Sequence, residues 1–163
     1  MMYTVGIVTL SDKGSQGLRE DRSGKAIDEL LPKDRYEVIS YRVLPDDREL
    51  IERELIRLAD EEHCSLVLTT GGTGFSTRDV SPEATLAVMD RNAPGIAEGL
   101  RAYSMQFTRR AVLGRGASVL RGKTLIVNLP GSEKAVRESM EFLLGTIEHG
   151  LDILLDLDGE CGR

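Results

Sequence analysis

Ser65-Leu66-Val67-Leu68-Thr69-Thr70-Gly71-Gly72-Thr73-Gly74 joins a short apolar run to a loop with three glycines in four positions. The run is too short for a helix, and its Val and Thr residues suit a buried strand. Glycines placed directly after a strand let the backbone take positive φ and approach a neighbour or ligand closely. Just beyond, Ser81-Pro82 predicts a helix start, with a hydroxyl cap and a proline in the first turn. Strand, glycine turn and helix in that order are the repeating unit of an α/β sheet.

The alternation continues in both directions. Tyr3–Leu10 reads as a buried strand, and Ser23 is expected to cap a short helix through Ala26, Ile27, Leu30 and Leu31, which Pro32 stops. Tyr36–Leu44 alternates as a second strand. Asp47–Glu62 carries a helical stripe at Ile51, Leu55, Leu58 and Ala59. Pro94 opens a helix with Ile96, Leu100, Tyr103 and Phe107 on one face. Ser118–Leu120 and Thr124–Leu129 flank Arg121-Gly122-Lys123 as a hairpin. One last helix is expected from Ser132 through Val136, Met140, Leu143, Leu144, Ile147 and Leu151. With no repeat or linker in view, residues 1–163 read as one α/β domain with a short polar tail from about residue 156. The expected architecture has three layers, a mostly parallel (mixed) sheet with helices on both faces.

Composition narrows the function classes. The 163 residues are 40% hydrophobic and 29% charged, too apolar for general disorder. Lys and Arg number 21 against 27 Asp and Glu, a net charge of −6, and aromatics make up 4% with no Trp. That balance argues against nucleic acid or an anionic membrane as partner. Cys64 and Cys161 have no metal-ligand or redox spacing. Met1–Leu10 lacks a basic leader, and no apolar run approaches the roughly 20 residues of a membrane span. The chain reads as soluble and cytoplasmic.

In open α/β sheets, ligands sit beyond the carboxyl ends of the strands. Four segments leave strands here: Ser11–Ser23, Pro45-Asp46-Asp47, Gly71–Pro82 and Asn128–Ser132. Gly71–Gly74 can present amides to an anion, or can simply satisfy a turn. There is no G-x-G-x-x-G, and Gly122-Lys123-Thr124 fails as a phosphate loop because residue 117 is Ala. Asp46 and Asp79 are both directed to one cleft, where two carboxylates near phosphates would call for a cation such as Mg²⁺. Against that, Asp46 or Asp47 can cap the next helix with Glu49 completing a capping box, and Asp79 can order its own loop. Asn128-Leu129-Pro130-Gly131-Ser132 ends a strand and begins a helix, either an anion site or an ordinary turn and cap. Arg109, Arg110, Arg115, Arg121 and Lys123 form a stretch without acid, either an anion-focusing patch or a solvated face or subunit contact. His63 and His149 are isolated.

Taken together, Thr9-Leu10-Ser11-Asp12, Asp21 with Ser23-Gly24, Leu68–Gly74, Arg78-Asp79-Val80-Ser81-Pro82-Glu83-Ala84-Thr85 and Asn128–Ser132 resemble the MogA/MoaB family of molybdenum-cofactor biosynthesis. The resemblance runs from about Thr4 to Leu144, and Arg78–Thr85 is most similar to the adenylyltransferase branch. It implies a three-layer α/β fold, usually a homotrimer. It also implies a reaction in which the terminal phosphate of molybdopterin attacks the α-phosphorus of Mg-ATP and expels pyrophosphate, the product passing to a metal-insertion enzyme. By the same resemblance, Asp46 and Asp79 are the catalytic, Mg²⁺-holding pair. Ser11, Asp12, Gly71, Gly72, Thr73, Gly74, Arg78, Ser81, Pro82, Glu83, Asn128, Pro130, Gly131 and Ser132 are implied as substrate-binding, with Arg115 as a lesser anion contact. A non-catalytic molybdopterin carrier of the same fold is the alternative. This chain departs from the family pattern at Glu133, where Pro is common, at Gly114, where Ser is usual, and at Ser81, which replaces the commoner Thr.

Overall fold

The structure is a computed structural model that describes residues 1–157; Cys161 and most of the expected polar tail lie outside the described residues. Six strands, β1 (Tyr3–Leu10), β2 (Tyr36–Leu44), β3 (Leu66–Thr70), β4 (Arg91–Asn92), β5 (Ser118–Arg121) and β6 (Thr124–Leu129), form one sheet in the order β2-β1-β3-β6-β5-β4. The first four in that order are mutually parallel, and β5 and β4 join antiparallel at the edge. Among the described residues, seven α-helices cover the sheet: α1 (Asp12–Ser15), α2 (Arg22–Leu30), α3 (Arg48–Ile56), α4 (Ser81–Ala87), α5 (Pro94–Ser104), α6 (Glu133–Leu144) and α7 (Glu148–Leu154).

Strand alternation divides the core into two. Val5, Ile7, Leu66, Leu68, Val127 and Leu129 face one layer and pack with Ile27, Leu100, Val136, Met140 and Leu151 of α2, α5, α6 and α7. Val8, Leu10, Val67 and Ile126 point the other way onto Ile51, Leu55, Ala84 and Val88, on and just after α3 and α4. A parallel strand buried on both faces must be apolar throughout, which is why β1, β3 and β6 show no polar alternation. The expected three-layer α/β sheet is the one observed, and every parallel strand ends at the same edge.

Local chemistry altered several boundaries. Asp21, not Ser23, caps α2, its carboxylate accepting from the Gly24 amide at 2.8 Å. The Asp47–Glu62 stretch is α3 followed by a wider π turn at Arg57–Glu61, which keeps Leu58 and Ala59 buried. The buried carboxylate of Glu54 accepts from Arg57 Nε and Nη2 at 2.9 and 2.8 Å across that junction. The last helix is two: α6 ends at Gly145, Thr146 Oγ1 donates to the Phe142 carbonyl, and α7 restarts at Glu148. Helix α5 stops at Ser104, so Phe107 meets Tyr103 edge-on from the following turn. The short strand β4 went unread because two exposed residues carry no periodicity. Buried Ser118 secures that corner, donating to the Ala93 carbonyl and accepting from the Ala97 amide.

Leu68 lies at the centre of β3 with no solvent exposure. Leu68→Ala is expected to lower unfolding free energy by about 2–5 kcal/mol, the usual range for a buried leucine truncated in a close-packed core. Urea titration followed by circular dichroism measures it.

Candidate active site

The carboxyl ends of β1, β2, β3 and β6 open onto a cleft of about 750 Å³ lined by Ser11, Asp46, Gly71, Gly72, Asp79, Gly131 and Ser132. Loops far apart in sequence therefore converge as the strand-exit argument requires. Their closeness depends on glycine. Gly71 has φ +95°, and a Cβ there would stand 2.4 Å from the Leu10 carbonyl oxygen. Gly72 has φ +67° and abuts the Asp46 carboxylate, 3.2 Å from the position a Cβ would take. A Cβ on Gly74 would come within 2.8 Å of the Asp79 carboxylate. Asp46 and Asp79 thus flank one three-residue segment of the glycine loop.

The cap reading of Asp46 gives way here. Asp47 caps α3, accepting from the Leu50 amide at 3.0 Å, while Glu49 pairs with Arg53 and completes no capping box. Asp46 instead exchanges backbone bonds with Asp12. The Asp12 amide donates to Asp46 Oδ2 at 3.1 Å, and the Asp46 amide donates to Asp12 Oδ1 at 3.0 Å. Arg78 closes on the same Asp12 carboxylate through Nε and Nη2 at 3.0 and 2.8 Å, holding that carboxyl below its ordinary range. Burial, reinforced by the charges of Asp12 and Asp79, pushes the Asp46 carboxyl upward despite the Asp12 amide. Asp79 both lines the cleft and orders its loop, accepting from the Ser76 amide at 3.0 Å.

Other expected site residues divide between cleft and scaffold. Ser11 caps α1 by accepting from the Gly14 amide at 3.0 Å, and Ser132 caps α6 by accepting from Ala135 at 3.2 Å. The first internal bond of α6 is Val136 N–H to the Ser132 carbonyl, so the Glu133 and Lys134 amides have no helical acceptor. The Gly71 amide is not available to an anion, because it donates to the Leu129 carbonyl. Thr70 Oγ1 donates to the Pro130 carbonyl at 2.6 Å and ties the two loops together. Ser81 is no cap: its hydroxyl is fully buried, 3.4 Å from Thr69 Oγ1, and Val80 occupies the cap position. Pro82 is buried beside it. Asn128 is interior, its Nδ2 donating to Thr69 and Thr85 and its Oδ1 accepting from Ala117.

Thr73, Asn128 and Pro130 line a second cavity of about 240 Å³, floored by Ala97, Leu100 and Leu129. The glycine loop and the Pro130–Gly131 turn lie between the two spaces.

Arg115 is a brace. Its donors go to the carbonyls of Gly74 and Asp79 at 2.7 and 2.8 Å and to the Glu83 carboxylate, leaving no free fork for an anion. Burial works against the Glu83 charge, yet the Arg115 bond holds that carboxyl below its ordinary range. Arg121 pairs with Asp60 and Lys123 with Asp156, so with Arg115 three of the five basic residues in that stretch are paired. Glu133, the extra negative charge beside α6, is likewise held by Arg137 at 3.0 Å.

Thr9 of the Thr9–Asp12 motif, and Arg19, Glu20 and Arg22 of the Ser11–Ser23 strand exit, also line the cleft, although the sequence reading named none of them as a site residue. Asp21 and Ser23, from that same strand exit, join them there. Ser23 Oγ donates to the Gly131 carbonyl at 2.7 Å, and Asp21 Oδ2 accepts from Thr9 Oγ1 at 2.7 Å and from the Tyr41 hydroxyl. The capping geometry at Asp21 was the available signal for this corner.

The described residues hold no group of three or more His, Cys, Asp or Glu side chains arranged for a metal, and no helix long and apolar enough to cross a membrane. Of the acidic residues lining the cleft, Asp46 and Asp79 are the two that abut the glycine loop.

Residues 6–149 match the family model described as "Probable molybdopterin binding domain". Molybdopterin adenylyltransferase of Helicobacter pylori is 41% identical over 153 residues, 93% of this chain and 87% of that protein. The Escherichia coli molybdopterin adenylyltransferase is 44% identical over 140 residues, 84% of this chain and 71% of that one. Among solved structures, the molybdopterin biosynthesis enzyme MoaB of Thermus thermophilus superposes with a TM-score of 0.90 at 44% identity, covering 95% of this chain and 98% of that chain.

Two outcomes follow from this geometry. Gly71→Ala is expected to lower stability by roughly 2 kcal/mol or more, since a Cβ meets backbone at a left-handed φ; urea titration tests it. Because the Asp46 carboxyl lies above its unfolded value, its ionised form weakens the fold at neutral pH and the penalty fades as pH falls below the ordinary carboxylate range. Asp46→Asn is therefore expected to resist urea better than the unaltered protein at pH 7, with the gap closing in acid.

Proposed function

The chain belongs to the molybdopterin-binding domain family, and on that premise we propose that it is a molybdopterin adenylyltransferase whose Asp46 and Asp79 form the working carboxylate pair. The single observation that carries the site assignment is the placement of both carboxylates against Gly72 and Gly74 in one cleft. In this reaction a phosphate oxygen of molybdopterin forms a bond to the α-phosphorus of ATP, and the bond from that phosphorus to the pyrophosphate oxygen breaks.

Such a transfer needs position and charge compensation rather than a side-chain nucleophile. The protein supplies position through the unsatisfied first-turn amides of α6 and the close backbone of Gly72 and Gly131. Charge compensation fits Mg²⁺. The donors are all carboxylate oxygen, and the Asp46 carboxyl is pushed up by burial and by its acidic neighbours, the condition a divalent cation relieves. When bound, Mg²⁺ neutralises charge on the attacked phosphate and on departing pyrophosphate. Arg115 and Glu83 keep the loop in place, and Arg78 keeps Asp12 against Asp46. The apolar cavity beside Thr73 suits a flat ring, and the polar cleft suits phosphates. A homotrimer in the cytoplasm, handing its adenylylated pterin to a metal-insertion enzyme, completes this reading.

Mixing the protein with molybdopterin and Mg-ATP is expected to yield AMP-linked pterin by mass spectrometry, with pyrophosphate release dependent on the pterin. Chelation by EDTA is expected to abolish release and added Mg²⁺ to restore it. Asp46→Asn and Asp79→Asn are each expected to reduce turnover by at least ~10²-fold in a folded protein. Tight pterin binding without ATP use would favour the carrier alternative.

A further inference from the structure

The cleft proposed to receive two phosphorylated reactants is lined by more acid than base: Glu20, Asp21, Asp46, Asp79 and Glu133 against Arg19 and Arg22. Polyanions settle in such a place only where an uncommitted cation or amide meets them. Most nearby cations are committed. Arg22 and Lys25 face Glu20 at 3.6 and 3.0 Å, and Arg137 holds Glu133. Arg78 is paired with Asp12, and Arg115 with Glu83.

Arg19 stands apart. Among the described residues its guanidinium makes neither an ion pair nor a hydrogen bond, yet it contributes to the cleft wall. Its backbone position is set by the turn that closes α1. The Leu18 amide donates to the Lys13 carbonyl at 2.9 Å, the Gly17 amide donates to Gly14 at 3.1 Å, and Gly17 takes φ +72°. That left-handed residue redirects the chain and delivers residue 19 to the cleft.

We propose that Arg19 is a substrate-contacting residue that grips a phosphate group of ATP or of molybdopterin. It takes over the anion-contact role that the sequence suggested for Arg115. A planar guanidinium meets phosphate through two parallel N–H bonds, and Arg19 can do so without breaking an existing pair. The grip acts on binding rather than on the bond-making step, because its guanidinium is carried on a surface turn and makes no bond to Asp46 or Asp79. This assignment rests on the adenylyltransferase reading for the identity of its two ligands.

Calorimetric titration of the full protein and of Arg19→Gln, first with Mg-ATP and then with molybdopterin, decides it. Arg19→Gln is expected to bind one of the two about tenfold more weakly, while the other changes less than twofold. Arg19→Lys is expected to recover part of the loss, keeping charge but not the fork. Loss confined to Mg-ATP puts the contact on the triphosphate, and loss confined to molybdopterin puts it on the pterin's phosphate; either supports the proposal. Unchanged affinity for both, or equal loss of both, overturns it. Should the unaltered protein bind both ligands and release no pyrophosphate, adenylylation fails as the reading, while the same titrations still decide the role of Arg19.

Discussion

A missing side chain at residue 71 is the constraint on which this molecule turns. The backbone of the glycine loop lies so close to the end of β1 that a single methyl would strike the Leu10 carbonyl. That approach brings the loop after β3 beside the loop after β1, and the Thr70 and Gly71 bonds to Pro130 and Leu129 draw in the loop after β6. These three strand exits join that of β2, which carries Asp46, in one cleft. Asp46, tied to Asp12, and Asp79, tied to the Ser76 amide, each rest against a glycine of the same short segment.

Around that contact the polar groups divide into those that build and those that face the cleft. Asn128 spends its amide on Thr69, Thr85 and Ala117, fixing the end of β6 from inside. Arg115 spends its fork on two carbonyls and a carboxylate, fixing the glycine loop from outside. Asp46 is different, since its charge is held in the folded chain against burial and against two acidic neighbours. A carboxylate kept charged in this way costs the folded chain some stability.

Much of this was legible from residue order alone. Runs such as Val67-Leu68 and Ile126-Val127 admit few roles other than buried parallel strand, and glycine, proline and acid at strand exits mark the edge where the cleft opens. What escaped was governed by competition between equivalent groups. Asp46 and Asp47 are the same residue type one position apart, and only the turn decides which faces the helix amide. Ser23 and Asp21 are both good caps, and tertiary bonding drew the serine hydroxyl to Gly131 instead. Arg115 looked free in a basic stretch because its partners, Glu83 and two carbonyls, come from another segment. Gly145 interrupted an otherwise continuous apolar stripe, and the stripe kept its face across the break.

The bond from Ser23 to the Gly131 carbonyl has a mechanical meaning. It couples the start of α2 to the turn that leads into α6, so neither jaw of the cleft can swing without dragging its opposite number. Widening at that corner must first rupture a short, half-sheltered link. That link forms with the fold itself and ties the two helix starts at one spacing along this wall.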